Sequence, residues 1–154
     1  MQLYRTMWSL ECEKEKMEDL KLKVEDYMKL WGFPSRFINW EKHMLDAKLQ
    51  RLLAKCLQEK GVYMFGATGS GKTCFATVLA KELIKLGKEC WFKNIADLMF
   101  EIKSTFDNEN KILNDYGIIC EWAQKEYLVL DDLGSQKDSE YVRQSLYVLV
   151  NKRY

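Results

Sequence analysis

Eight residues, GATGSGKT at 66–73, place glycines, a lysine and a hydroxyl at the spacing G-x-x-x-x-G-K-[ST], the Walker A pattern. Gly66, Gly69 and Gly71 let the backbone take positive φ and come close to a phosphate with no Cβ in the way. The successive N–H groups of Thr68, Gly69, Ser70, Gly71, Lys72 and Thr73 then point into one concavity, an anion nest. A helix that starts here adds its positive dipole end and unpaired N–H groups. The binding stretch therefore runs from Gly66 and Ala67 through to Cys74 in the first helical turn. Lys72 reaches the β- and γ-phosphates as a mobile point charge, and Thr73 places its hydroxyl on Mg²⁺. A glycine-rich turn before a helix is the plainer reading, but the flanking sequence puts the pattern between a strand and a helix, where nucleotide binding requires it.

A second stretch, YLVLDDLGSQ at 127–136, ends an apolar run in two adjacent carboxylates. Beside a phosphate loop such an acid holds Mg²⁺, usually through water, which assigns Asp131 to the metal in a Walker B role. Asp132 points differently and is placed to orient or deprotonate the attacking water. A bare loop start would predict one acid as well as two, and it would not predict the phosphate loop upstream. The expected site is Lys72, Asp131 and Asp132 for catalysis, Thr73 and Asp131 for the metal, and ATP with Mg²⁺ as cofactors.

The elements that must carry these residues can be read from hydrophobic spacing. GVYMF at 61–65 predicts a buried strand, followed by a helix from Lys72 to Leu86 stopped at Gly87. ECWFK at 89–93 and EYLVLD at 126–131 predict two more strands, with helices at 95–106 and 139–153 and a polar loop at 107–116 leading into a helical stretch. Strand–helix alternation of this kind gives an α/β fold, a parallel sheet covered by helices. Upstream, an amphipathic helix fits residues 41–59, with Leu45, Leu49, Leu52, Leu53, Cys56 and Leu57 on one face and His43 at the surface or a cap. Residues 1–31 form a further helical arm, its stripe running Leu3, Met7, Leu10, Met17, Leu20, Val24, Tyr27 and Trp31 until Gly32 and Pro34 end it. That arm either packs on its own domain or binds a partner. The division expected is thus 1–31 for the arm and 32–154 for a nucleotide-binding core.

Bulk composition excludes several classes. The 154 residues carry 24 Lys plus Arg against 23 Asp plus Glu, so no global basic surface marks the chain for nucleic acid. Five cysteines without ligand spacing and a single histidine argue for reduced thiols, not a zinc or disulfide framework. No apolar run reaches the length of a membrane span, and no secretory signal opens the chain, so a cytoplasmic, non-membrane protein is expected.

LDDLGSQKDSEYVRQSLYVLVNKRY, GFPSRF and KECWFKNIADLMFEIKSTF together resemble the DnaC/DnaI helicase loaders and the related IstB transposition helper ATPases over residues 32–154. The resemblance implies an AAA+ fold, Mg·ATP, self-association along the ATPase faces, single-stranded DNA contact and a hexameric replicative helicase as partner. It also implies that Phe33 to Phe37 wall the adenine. The DnaI type opens with a cysteine/histidine zinc module, which this chain with only Cys12 in that region does not match; the helical arm is closer to the DnaC type. In the family the last helix of this stretch ends in an N-x-R-Y signature, here NKRY at 151–154, and the family continues past it into a strand bearing a polar sensor, an arginine finger and a last strand, so the sheet is expected to be incomplete at the C-terminus. In the family that further strand lies between GVYMF and EYLVLD, and without it the two either pair directly, take an edge from another chain or lose stability. Turnover is expected to be weak without a finger worth ~10³–10⁵ in rate. A catalytically weak adaptor or inhibitor that binds a helicase or a full-length relative is the alternative function, and a transposition helper a third. Lys93, Lys103 and Lys137 are candidate DNA contacts, and Arg153 either serves its helix end or reaches a neighbouring subunit's nucleotide. For Cys74, a small packing side chain and a dipole-activated thiol are the two readings.

Overall fold

The computed structural model describes residues 23–104, 114–134 and 140–154. They fall into two compact units, one ending at Gly87 and one formed by Lys88–Tyr154. The greater part of the arm, residues 1–22, lies outside the described residues.

The first unit is helical. Helix α1 covers described residues 23–30 and buries Val24 and Met28, one turn apart, while Tyr27 stays half-exposed and stacks on Trp31 at 5.1 Å. The buried line is therefore Val24–Met28, a small rotation from the stripe read through Tyr27. Gly32, at φ 86°, ends the helix: its N–H bonds the Lys29 carbonyl and the Phe33 N–H bonds Met28, closing the last turn. A short helix α2, Ser35–Ile38, follows and buries Ile38; Phe33 before it is also in the core, whereas Trp40 is exposed. The helix expected over 41–59 divides. Lys42–Met44 form one 3-10 turn that leaves His43 exposed, and α3, Ala47–Cys56, starts at Asp46, whose carboxylate accepts the Leu49 N–H at 2.8 Å. Helix α4, Lys72–Lys85, then fills the unit. Leu45, Leu53, Cys56, Phe75 and Val78 form the core, with Leu49, Met64 and Leu79 packed on it, while Leu52 is left outside.

Residues 61–65 correct one expectation. They form no strand and join no sheet among the described residues; Tyr63 is 74% and Phe65 84% exposed, and their rings stack on each other at 6.2 Å. Only Met64, between them, turns inward. The period of two is present, but a strand needs a hydrogen-bonding neighbour, and the described residues of the first unit supply none.

The second unit holds the sheet. Strands β1, Cys90–Asn94, and β2, Tyr127–Asp131, pair in parallel, with Cys90 opposite Tyr127 and Asn94 opposite Asp131. Glu126 fixes this register from below the strands, accepting from Lys88 at 2.9 Å and from the Glu89 N–H at 3.1 Å; those bonds hold its carboxyl below the usual range. Helices α5, Ile95–Lys103, α6, Asp115–Ala123, and α7, Glu140–Arg153, cover the pair. Ile95, Leu98, Met99, Ile102, Ile118, Ile119, Val142 and Leu149 make the core, and Leu128 and Leu130 of β2 pack against it. The parallel sheet with covering helices matches the α/β expectation in this unit, to within a residue at each strand end.

Candidate phosphate-binding site

Gly66, Ala67, Thr68, Gly69, Ser70, Gly71, Lys72, Thr73 and Cys74 all fall on one continuous loop and the first turn of α4. Gly66, Gly69 and Gly71 have φ of 149°, 79° and 84°, as the spacing predicted. A Cβ built on Gly69 or Gly71 would meet no atom within 4 Å. The glycines are thus not needed to avoid a neighbour. They are needed for the backbone angle, and they leave the loop open. Gly71 is the residue before the helix, and its carbonyl accepts the Phe75 N–H at 2.9 Å, so the N-terminal end of α4 opens directly onto the loop.

Lys72 is folded back on this loop. Its ammonium donates to the carbonyls of Ala67 at 2.8 Å and Gly66 at 3.0 Å, and to Ser70 Oγ at 3.4 Å. Those contacts hold the loop in shape while keeping the lysine at its mouth. A polyphosphate offers the same ammonium a charged acceptor in place of two neutral carbonyls, a stronger partner. The loop's open concavity, helix end and resident cation therefore fit the phosphates of a nucleotide. Cys74 is half-buried beside Phe75.

Asp131 and Asp132 lie in the second unit at the end of β2. Asp131 is the last paired residue of the strand. Asp132 turns sharply at φ 59°, the one positive φ outside glycine among the described residues, and its Oδ2 accepts from Asn94 Nδ2 at 3.2 Å. The chain thus leaves the strand between the two acids. Asn94 was not singled out from sequence. It caps α5 through Oδ1, accepting the Ala96 N–H at 2.8 Å, while its amide holds Asp132. An asparagine between a strand and an apolar helix start is the cap signature that could have shown it.

The remaining candidates resolve individually. Lys93 bonds Glu101 at 2.6 Å and lies over the Trp122 ring at 4.7 Å; Lys103 is exposed, and Lys137 lies outside the described residues. Arg153 is engaged: its guanidinium donates to the carbonyls of Ala123, Lys125 and Glu126 at 3.1, 2.7 and 3.2 Å, closing the C-terminal end of α6. Burial pushes its pKa down. Phe33 is core, while Phe37 is half-buried under Arg36, whose guanidinium sits 4.6 Å from the ring centre. Among the described residues no helix is long and apolar enough to cross a membrane.

A glycine-rich loop opening a helix, with a lysine at its mouth and a parallel α/β unit following, defines a P-loop protein. The chain belongs to the IstB-like ATP binding protein family, which matches residues 9–154. It is 32% identical over 92 residues to the replicative helicase loader DnaC of Escherichia coli K12, and 31% identical over 88 residues to that of Buchnera aphidicola subsp. Baizongia pistaciae. In each comparison 57% of this chain is covered, and the chain spans about a third (35%) of the relative's length.

Proposed function

We propose that the chain binds Mg·ATP at the Gly66–Cys74 loop and acts as a helicase-loader-like AAA+ ATPase in the cytoplasm during DNA replication. The observation that supports this most is the loop itself: three positive-φ glycines run into the start of α4 with Lys72 held at the mouth. In this reading Lys72 neutralises the β- and γ-phosphates and the loop N–H groups cradle them. Thr73 would offer Mg²⁺ its hydroxyl, and the Walker B pattern of the sequence assigns the metal's carboxylate to Asp131; the metal would supply charge neutralisation of the phosphates. Asp132, with its carboxylate oriented by Asn94, positions the attacking water. The replicative helicase loaders among the relatives support a replicative helicase as partner; a hexameric form of it, single-stranded DNA and further copies of the chain are proposed from the sequence resemblance alone.

Capture of a purified replicative helicase on the immobilised chain tests the assignment, with and without Mg·ATP and with Lys72→Ala beside the wild type. Capture that depends on nucleotide and is lost in Lys72→Ala supports the loader reading. Nucleotide-independent capture that survives Lys72→Ala would instead make the chain a non-enzymatic adaptor. Absence of helicase capture under every condition removes the loader assignment and leaves the transposition helper as the reading to pursue.

A further inference from the structure

Thr77 and Lys81 are the buried polar side chains of α4, and they are satisfied in different ways. Lys81 bonds outside its own helix. Its ammonium donates to the Ile38 carbonyl and, at 2.9 Å, to Glu41 Oε1, while the other oxygen of Glu41 takes Lys85 at 3.5 Å. Those bonds tie α4 to the segment that leads into α3. Thr77 is as deeply buried, at 0% exposure, but its hydroxyl turns back on its own helix and donates to the Thr73 carbonyl at 2.8 Å.

Helix stability does not call for that hydroxyl. A valine has nearly the same shape and brings no polar atom into the core, and a bond back to the preceding turn tends to bend a helix. What distinguishes the bond is its place. The Thr73 carbonyl lies in the first turn of α4, where the helix ladder already gives it the Thr77 N–H. It is one end of a planar peptide unit whose other end is the Cys74 N–H. The helix ladder begins with the Phe75 N–H on the Gly71 carbonyl at 2.9 Å, so the Cys74 N–H precedes it and finds no acceptor in the ladder. It is also the last N–H of the Gly66–Cys74 stretch. A second donor on the carbonyl end fixes the plane of this peptide and polarises it, which makes the N–H at its other end a stronger donor.

Resting on the nucleotide-binding reading, we propose that Thr77 is a positioning residue of the phosphate loop: through the Thr73 carbonyl it holds and polarises the Thr73–Cys74 peptide, whose N–H completes the set that meets the phosphates. Thr77 itself is too deeply buried to touch a ligand. Helix α7 carries the same bond where no phosphate pattern precedes it in the sequence: Ser145, also buried, donates to the Tyr141 carbonyl at 2.9 Å.

The test is titration calorimetry of the full chain with Mg·ADP and with Mg-tripolyphosphate, which carries the phosphates without the base. Thr77→Val removes the hydroxyl and keeps the shape, Thr77→Ser keeps the hydroxyl, and Ser145→Ala removes the equivalent bond from α7. Thr77→Val is expected to lower the affinity for both ligands by the same factor, roughly two- to fourfold for one charge-assisted bond that loses its polarisation. Thr77→Ser is expected to bind both ligands as the wild type does, and Ser145→Ala to leave both affinities unchanged. Unchanged affinities in Thr77→Val overturn the inference, as does a loss that Thr77→Ser shares, a loss confined to ADP, or an equal loss in Ser145→Ala. Lys72→Ala separates the inference from the reading beneath it. A wild type that binds neither ligand, or a Lys72→Ala that binds both as tightly as the wild type, removes the nucleotide reading and the inference with it. Binding lost in Lys72→Ala but complete in Thr77→Val removes the inference alone. Should Thr77→Val not fold, Thr77→Ala, which also lacks the hydroxyl, is set against Thr77→Ser on the same terms.

Discussion

Removing either partner of the Lys81–Glu41 pair is expected to destabilise the first unit, but by unequal amounts that the geometry fixes. The Lys81 side chain is 2% exposed and that of Glu41 17%. Glu41→Ala leaves the ammonium buried with the Ile38 carbonyl as its remaining described acceptor, and stranding a buried charge costs about 3–5 kcal/mol. Lys81→Met removes the charge itself and fills nearly the same volume. Glu41 keeps Lys85, and the main loss is the bond to the Ile38 carbonyl, about 1–3 kcal/mol. For a domain of this size each kcal/mol moves Tm by about 2–4 °C, so Glu41→Ala should fall by roughly 6–20 °C and Lys81→Met by roughly 2–12 °C. Adding Lys81→Met to Glu41→Ala should recover stability, because the stranded charge is gone. Thermal unfolding followed by circular dichroism, repeated at high salt, reads all three; a buried pair should show little salt dependence. If Lys81→Met is the worse single change, or if the two losses simply add, the pair is not a desolvated clamp.

Three further outcomes follow from the same geometry. Arg153→Ala should cost about 1.5–3 kcal/mol, since one charged group serves three carbonyls, and Arg153→Lys should not restore it because a point charge cannot match that fork; urea unfolding measures both. Cys90 is fully buried, and that burial, helped by the nearby Glu126 charge, pushes its thiol up to about 12. The folded state therefore holds the proton more tightly than the unfolded one. Its contribution is complete below the ordinary thiol value of 9.0 and is lost as pH rises towards about 12, by at most ~1.4 kcal/mol per pH unit. Alkylation at pH 8 should accordingly modify Cys74 before Cys90, and faster modification of Cys90 would contradict this. Gly71→Ala must place a Cβ at φ 84°, which costs roughly 1–2 kcal/mol without any clash. Weaker ADP binding, read by titration, with Tm lowered by roughly 2–8 °C is the expected result.

Much of the site was legible in sequence because it is local. GATGSGKT encodes its own backbone: the glycines specify φ, and the helix that follows specifies where the N–H groups face. Strands β1 and β2 were legible because each apolar run has a neighbour to pair with, and the helix stop at Gly87 because its φ of 79° suits glycine. The segment 61–65 failed for the opposite reason. Its alternation is real, with Met64 inward and Tyr63 and Phe65 outward, but pairing is a property of the neighbour and not of the segment. The 41–59 helix divided because Asp46 begins a capped helix of its own, and the apolar period continued across that break. Lys81 was invisible for a third reason: it acts through a contact to a residue 40 positions away, which no local pattern encodes. For Asn94 the cap of α5 is local and readable, whereas its bond to Asp132, 38 positions away, is not.

The measurement that bears most directly on the account is a calorimetric titration of the full chain with Mg·ATP, run beside Lys72→Ala. The account predicts one nucleotide bound per chain in the wild type and none in Lys72→Ala, with both proteins equally folded. Equal affinity in the two proteins, or no binding by a folded wild type, would contradict it.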